Sequence, residues 1–281
     1  MKNNPLISVV IPLYNKEKTI EQSLHSVLRQ KDCEFEIVVV DDGSTDNSVE
    51  QVKKINDTRV RLVSQKNGGP GAARNTGAKA AKGDWIVFLD ADDELLPNAL
   101  KSFAKAILAH PNIDIFDANK YILTGDNKIL AYHPLKGYIK NPLKECFFSR
   151  ILPGNGSSAF RRSFFLKNMY DERIRRFEDA ELLIRQLSCA KVYSLKTPTL
   201  LFNRNFAGAS RPRKNVMENY FAYLDFSKGG FSRKMCVYRT FLEERELYPE
   251  YGKKHYAKMY KRYDWLLMYK LLNWLAKFLN K

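Results

Sequence analysis

Short apolar runs alternate along the first hundred residues with segments whose apolar positions recur every three or four. Leu6-Ile7-Ser8-Val9-Val10-Ile11, Phe35-Glu36-Ile37-Val38-Val39-Val40, Val60 to Ser64 and Trp85-Ile86-Val87-Phe88-Leu89 have the length and β-branched content of buried strands. Between the first two, Ile20, Leu24, Val27 and Leu28 fall at i, i+4, i+7 and i+8, one face of a helix; Val49, Val52 and Ile55 keep helical spacing after the second. An Ala-rich helix reaching Lys82-Gly83 precedes the fourth run. This alternation predicts an α/β fold with a mostly parallel sheet joined by right-handed crossovers. Farther on, Asn98 to Ala109 predicts a helix and Ile113 to Ala118 a strand, whereas 119–156 has no clear period. Helical spacing returns at Arg161 to Asn168 and at Ala180, Leu183, Ile184 and Leu187, and Thr199 to Phe202 predicts a last short strand. From His255 the pattern is helical again. There Lys270, Asn273, Lys277 and Asn280 share one narrow side, and Tyr263, Leu267, Leu271, Trp274, Leu275 and Phe278 spread over a wide apolar face.

Polar clusters end the strands or precede the helices of the first half: Pro12 to Asn15, Asp41 to Asp46, Asn67 to Gly77, and Asp90-Ala91-Asp92-Asp93. In a parallel sheet all four lie at the C-terminal edge, where ligands of open α/β sheets bind. Asp90 and Asp92, hard oxygen donors at i and i+2 of an extended backbone, would project to one side and could hold a divalent cation. The alternative is that these acids open a loop or cap the helix that starts near Pro97. In the second cluster Gly43 permits a turn and Ser44 to Asp46 cap a helix, which leaves the leading acids for binding. The glycines of the third are neither Gly-x-Gly-x-x-Gly nor Gly-x-x-x-x-Gly-Lys-Ser/Thr, which counts against a dinucleotide-dependent dehydrogenase or a P-loop NTPase.

Composition narrows the partners. A chain of 281 residues with net charge +16 suits an anionic partner, whether nucleotide, nucleic acid or membrane surface. Sixteen Lys/Arg against seven Asp/Glu from Arg211 onward place much of the excess in the last quarter. Cys33, Cys146, Cys189 and Cys236 are far apart with no Cys-x-x-Cys pair, so reduced thiols are expected rather than zinc or disulfides. With no secretory leader pattern and no run of about 18 apolar residues, a cytoplasmic protein is expected.

In their order and spacing, Val9-Val10-Ile11-Pro12-Leu13-Tyr14-Asn15, Val40-Asp41-Asp42-Gly43-Ser44-Thr45-Asp46 and Asp90-Ala91-Asp92-Asp93 resemble family 2 glycosyltransferases, over roughly residues 5–210. The resemblance implies the GT-A fold, a Rossmann-like, mostly parallel sheet flanked by helices. It further implies that Pro12, Tyr14 and Asn15 border the base, and that Asp41 and Asp42 accept hydrogen bonds from a uracil imide or a ribose hydroxyl. Arg74 would approach the nucleotide, the alternative being a solvated helix arginine, and Asn75 and Gly77 would permit close packing. Asp90 and Asp92 would be the Asp-x-Asp signature, next to the nucleotide, binding Mg²⁺ or Mn²⁺ on the diphosphate. Asp93 would touch the sugar or support the pair. Glu178-Asp179 matches the family's Glu-Asp motif, whose Asp deprotonates the acceptor hydroxyl; the alternative is compensation of a helix dipole. Where the family carries an aromatic-Arg-x-His-x-x-Ser segment, Phe202 to Arg211 offers Arg204, Ser210 and Arg211 without histidine, and Arg204 is the candidate phosphate contact.

The expectation is an inverting, metal-dependent hexosyl- or N-acetylhexosaminyl-transferase. It would take a nucleotide sugar, a UDP-sugar above all, and a glycan or lipid-linked acceptor in surface polysaccharide assembly. Residues 1–210 would form the catalytic domain, with a nucleotide-sugar half (1–118) and an acceptor half (119–210), followed by a basic helical extension (211–281). A nucleotide-sugar binder without catalysis and a nucleic-acid binder are the alternatives. The intact acids oppose the first, and no RNP-like or helix-turn-helix pattern supports the second. The tail 255–281 would either pack on the catalytic domain or a twin subunit, or lie in the inner membrane interface with Trp265 and Trp274 at headgroup depth.

Overall fold

In the computed structural model, which describes residues 4–131, 135–205 and 215–279, the first half runs β1 (Leu6–Leu13), α1 (Ile20–Leu28), β2 (Glu34–Asp41), α2 (Ser48–Lys53), β3 (Val60–Ser64), α3 (Pro70–Ala80) and β4 (Trp85–Phe88). The four strands pair in parallel in the order β3-β2-β1-β4, so their C-terminal ends share one edge. Side chains alternate between the faces of a strand. Val10, Val38, Val40, Ile86 and Phe88 therefore join a cluster with α3, while Ile7, Val9, Ile11, Ile37 and Val39 join another with Ile20, Leu24 and Val27 of α1.

The second half comprises β5 (Glu94–Leu95), α4 (Ala99–Ala109), β6 (Ile115–Thr124), β7 (Asn127–Leu130), β8 (Gly137–Ile139), α5 (Pro142–Phe147), β9 (Ser158–Arg161), α6 (Arg162–Lys167), α7 (Glu178–Leu187) and β10 (Val192–Asn203). It extends the sheet as β4-β9-β6-β10-β5, with β9 antiparallel to both of its neighbours and β10 parallel to β6. The sheet is mixed, mostly parallel, and flanked by helices. β10 is longer than the expected Thr199 to Phe202 because it continues through Lys196 and Pro198, where register shifts interrupt the apolar pattern.

After two 3-10 turns, Val216–Glu218 and Tyr220–Tyr223, come α8 (Phe231–Glu244), α9 (Pro249–His255), α10 (Ala257–Tyr260) and α11 (Tyr263–Leu279). Met235, Val237, Tyr238 and Phe241 of α8 are buried in the cluster that holds Phe88, Phe160 and Leu182, so the C-terminal helices share a core with the sheet. The boundary expected at 210/211 falls outside the described residues. Trp265 of α11 packs edge-on against Tyr238 (5.5 Å) and Phe226 (6.3 Å), and Tyr269 against Phe147 (6.0 Å). The expectation of Trp265 at headgroup depth is thereby corrected: Tyr238 of α8 and Phe226 of the segment before α8 pack against it. Leu267, Leu271 and Trp274, at i, i+4 and i+7, face outward with 71%, 56% and 61% of their surface exposed. The side chains expected of Tyr263, Asn273, Leu275, Lys277, Phe278 and Asn280 lie outside the described ones. Among the described residues no helix is long and apolar enough to cross a membrane.

Candidate active site

At the end of β1, Asn15 adopts a left-handed backbone (φ 51°). Its amide donates to Ser44 Oγ (3.2 Å) and its Oδ1 accepts from Thr45 N (2.8 Å), which ties this turn to the one after β2. Tyr14 stands 39% exposed on the same edge, and Pro12 is half-buried beside it. Asp41 accepts from Ser44 N (2.9 Å). Asp42 is 1% exposed and receives Gln65 Nε2 (2.8 Å), Gly68 N (2.7 Å) and Gly69 N (2.8 Å). The two acids expected to act alike thus differ: Asp42 shapes the 65–69 loop ahead of α3, and Asp41 lies nearer the surface.

Asp90 to Asp93 form a turn, not the extended backbone expected, because Asp93 N donates to Asp90 O (3.0 Å). Every acid in it has a partner. Asp92 Oδ2 meets Lys16 Nζ at 2.5 Å. Asp90 Oδ1 meets Arg74 Nη2 at 2.7 Å, and Asn155 Nδ2 lies 3.2 Å from both oxygens of Asp90. Asp93, 2% exposed, accepts from Asn203 N (2.9 Å). Its carboxyl is raised to about 8, first by burial and next by the charge of Asp90. Its bond to Asn203 ties the turn to the end of β10.

Asp90 and Asp92 fit a hard divalent cation that keeps waters and substrate phosphates as its other ligands. Among the described residues no group of three His, Cys, Asp or Glu is placed to hold a metal ion unaided. Lys16 and Arg74 set positive charge against the two carboxylates.

Arg74 connects this turn to the second half. It is 5% exposed, so it is not the solvated helix arginine; its Nη1 lies 3.3 Å from Glu178 Oε1 and its Cζ 5.4 Å from the Tyr170 ring centre. Asn75, next along α3, exchanges hydrogen bonds with the backbone of Tyr170 and reaches Glu172, and so pins the segment leading to Glu178. Gly77 lets α3 settle on β1: a Cβ there would lie 2.2 Å from Val10 Cγ1. Phe177, at φ 57°, turns the chain into α7 in a conformation uncommon for a bulky side chain. Glu178 then faces inward to Arg74 while Asp179, exposed, faces out. Burial, then the neighbouring Asp179, raises Glu178 to about 7. Asp179 Oδ1 accepts from Ala180 N (2.8 Å).

Asp90, Asp93, Asn155 and Asp179 open on one cavity of about 400 Å³. A second cavity of about 390 Å³, at Asp84 and Trp85, lies at the other end of β4. Its arginines, Arg161 and Arg162, are engaged by backbone carbonyls. Arg204 is exposed just past β10, at the same edge as Asp93, and its backbone N–H donates to Leu123 O (3.0 Å). Ser210 and Arg211 are outside the described residues. Lys16 and Asn155 were not among the residues singled out from sequence. Lys16 lies in the charged run Lys16-Glu17-Lys18, and Asn155 in a stretch without period, though its setting in Gly154-Asn155-Gly156 marks a turn.

A family model described as Glycosyl transferase family 2 matches residues 8–168. The chain is 33% identical over 187 residues to the uncharacterized glycosyltransferase EpsJ of Bacillus subtilis, covering 63% of this chain and 54% of that protein. It is 36% identical over 144 residues to the UDP-Glc:alpha-D-GlcNAc-diphosphoundecaprenol beta-1,3-glucosyltransferase WfgD of Escherichia coli, covering 50% and 56%. The match thus spans about half the length of each relative. Among solved structures, S. aureus TarS 1-349 in complex with UDP-GlcNAc aligns over 88% of this chain and 74% of its own, with TM-score 0.69 and 21% identity, a likeness of fold.

Proposed function

Because the chain belongs to glycosyl transferase family 2, we propose that it moves a sugar from a UDP-sugar to a hydroxyl of a glycan or lipid-linked acceptor, with inversion, in surface polysaccharide assembly. The observation that carries this reading is that Asp90 and Asp179, from opposite halves of the sheet edge, open on one cavity and are linked through Arg74 and Glu178. The UDP-sugar donor and lipid diphosphate acceptor in the name of WfgD, and the UDP-GlcNAc complex of TarS, support the choice of substrates.

The nucleoside would lie over the ends of β1 and β2. Tyr14 and Pro12 border its base there and Asp41 accepts from an imide N–H or a ribose hydroxyl, while Asn15 and Asp42 hold the turns that place them. Mg²⁺ or Mn²⁺, held by Asp90 and Asp92, would supply charge neutralisation for the departing diphosphate. Lys16 and Arg74 keep those carboxylates in place, Asp93 fixes their turn, and Arg204 reaches the phosphates. Asp179 takes the proton of the acceptor hydroxyl as its oxygen attacks the anomeric carbon from the face opposite the diphosphate, which gives inversion. Glu178 positions Asp179 through its bond to Arg74. Residues 1–118 would carry the donor, 119–210 the acceptor, and 211–281 would complete the core and contact the inner face of the membrane through α11.

Asp179→Asn tests this assignment. It should keep UDP-sugar affinity, read by thermal shift with and without Mn²⁺, yet lower transfer by about 10²–10⁴-fold, the range for a lost general base. Transfer surviving at the wild-type rate would remove Asp179 from the mechanism, and a product with retained anomeric configuration would remove inversion.

A further inference from the structure

Asp179 sits in the first turn of α7, and the chain that delivers it is held from beyond the sheet. Glu218 O, in the first 3-10 turn after β10, accepts from both Arg175 N (2.7 Å) and Arg176 N (3.1 Å), and Tyr220 N donates to Arg176 O (3.1 Å). Arg176 and Asn219 thus pair as an isolated parallel bridge. Asn219 is fully buried; its Nδ2 donates to Glu244 Oε2 of α8 (2.8 Å) and its Oδ1 accepts from Phe221 N (2.8 Å). Glu244 is 2% exposed, and the guanidinium that faces it belongs to Arg176, with Nε 3.6 Å from Oε2. The contact is one of charge, because Arg176 Nε has no hydrogen-bond partner among the described residues. The same guanidinium lies over the Phe177 ring, with Cζ 5.3 Å from its centre.

These contacts end on a strained residue. Phe177 stands at φ 57° and ψ 27°, a backbone conformation that persists in a bulky residue only where its surroundings over-determine it. The turn it makes sends Glu178 inward to Arg74 and leaves Asp179 at the cavity. After the turn, the bond between Glu178 and Arg74 fixes the chain; before it, the contacts of Glu218, Asn219 and Glu244 do. A carboxylate buried for stability alone is a poor choice, since an apolar side chain of similar size does as well or better. One whose charge keeps a guanidinium on Phe177 has a use that an apolar side chain lacks. Arg176, Phe177 and Asp179 also line one open cleft of about 310 Å³, so an Arg176 released by Glu244 has Asp179 to pair with.

Resting on the reading of Asp179 as the base, we propose that Glu244 is a positioning residue for it: the Glu244 carboxylate holds Arg176 on the Phe177 ring, and thereby the turn that aims Asp179 into the cavity. α8 and the 3-10 turns before it, which lie beyond the residues 8–168 matched by the family model, then help to set the base.

Release of UDP from a panel of UDP-hexoses and UDP-N-acetylhexosamines, with Mn²⁺ present and water as the acceptor, reads the base in the whole chain. Glu244→Gln keeps an oxygen for Asn219 and removes the charge. It should leave the donor KM unchanged and lower kcat by about 10- to 100-fold, as a reacting group misplaced by about 1 Å does. In the Asp179→Asn background the same substitution should change kcat by less than about twofold, because the group it places is gone. A purely structural Glu244 would lower kcat by the same factor in both backgrounds. Arg176→Lys leaves a cation beside Glu244 but no planar group on Phe177. It should also lower kcat at unchanged donor KM, and it decides the matter if Glu244→Gln lowers the melting temperature. A wild-type kcat in the folded variants, or an equal loss in both backgrounds, overturns the positioning role, while a slow Asp179→Asn leaves the base standing. Asp179→Asn at the wild-type rate, or no UDP release by wild-type protein from any donor of the panel, overturns the functional reading and this role with it.

Discussion

At the scale of single residues, Arg74 decides most. A guanidinium at 5% exposure is tolerated because Asp90 and Glu178 both face it, and each of those acids is in turn kept by it. Arg74→Met should therefore lose more than two hydrogen bonds, since it strands two carboxylates in a poorly solvated cleft. Urea unfolding should report a loss of about 3–5 kcal/mol, the range for breaking a buried pair from one side, and a loss below about 1 kcal/mol would mean the cleft is wetter than its burial indicates. Glu178 gives a pH signature of its own. Burial and Asp179 raise it to about 7 from an ordinary 4.5, so between those values the folded chain holds a proton the unfolded chain has released. Its contribution is then fully present below about pH 4.5 and is lost as pH rises through 7. Glu178→Gln removes that loss, so its melting temperature relative to wild type should become more favourable from pH 5 to pH 8. A difference flat with pH would show that Glu178 titrates in its ordinary range.

At the scale of elements, α3 is what joins the two halves of the sheet, carrying Arg74 toward the carboxylates, Asn75 toward Tyr170 and Gly77 onto β1. Gly77→Ala has to push Val10 away from its place in the core, and its expected cost is about 1–3 kcal/mol, as for other overpacked cores, read as a lower midpoint in thermal or urea melts. An unchanged midpoint would mean that α3 can slide on β1. The elements from β1 to β4 were legible from sequence because each strand is a local apolar run, each helix has a local period, and strand-end acids mark the edge. β9 was not legible, since its four residues are strand only by pairing with β4 and β6 from distant parts of the chain. The same holds for the site. Asp90, Asp92 and Asp179 could be named from their motifs, whereas Lys16 and Asn155 became visible only when the fold set them against Asp92 and Asp90. The division of labour between Asp41 and Asp42 was also hidden, because Asp42 is occupied by backbone amides of a loop more than twenty residues away.

At the scale of the whole molecule, the basic excess and the apolar outer side of α11 bear on one question, where the chain works. Lys253, Lys254, Lys258, Lys261 and Lys270 are exposed on α9 to α11 or between them, and Leu267, Leu271 and Trp274 are exposed on α11. Such a surface suits anionic lipid, with the Leu and Trp side chains entering the interface and the lysines facing headgroups. Deleting α11 is a poor test, because Trp265 and Tyr269 cover Tyr238 and Phe147, and their loss would uncover core aromatics whatever the helix does outside. Leu267→Glu combined with Leu271→Glu changes the outer side alone. The double variant should keep the wild-type melting temperature and its UDP affinity but fail to float with vesicles containing phosphatidylglycerol. Wild-type protein should float with those vesicles, less so at high salt as the lysine contribution is screened. Flotation of the double variant equal to wild type would assign α11 to packing on the catalytic body and nothing further.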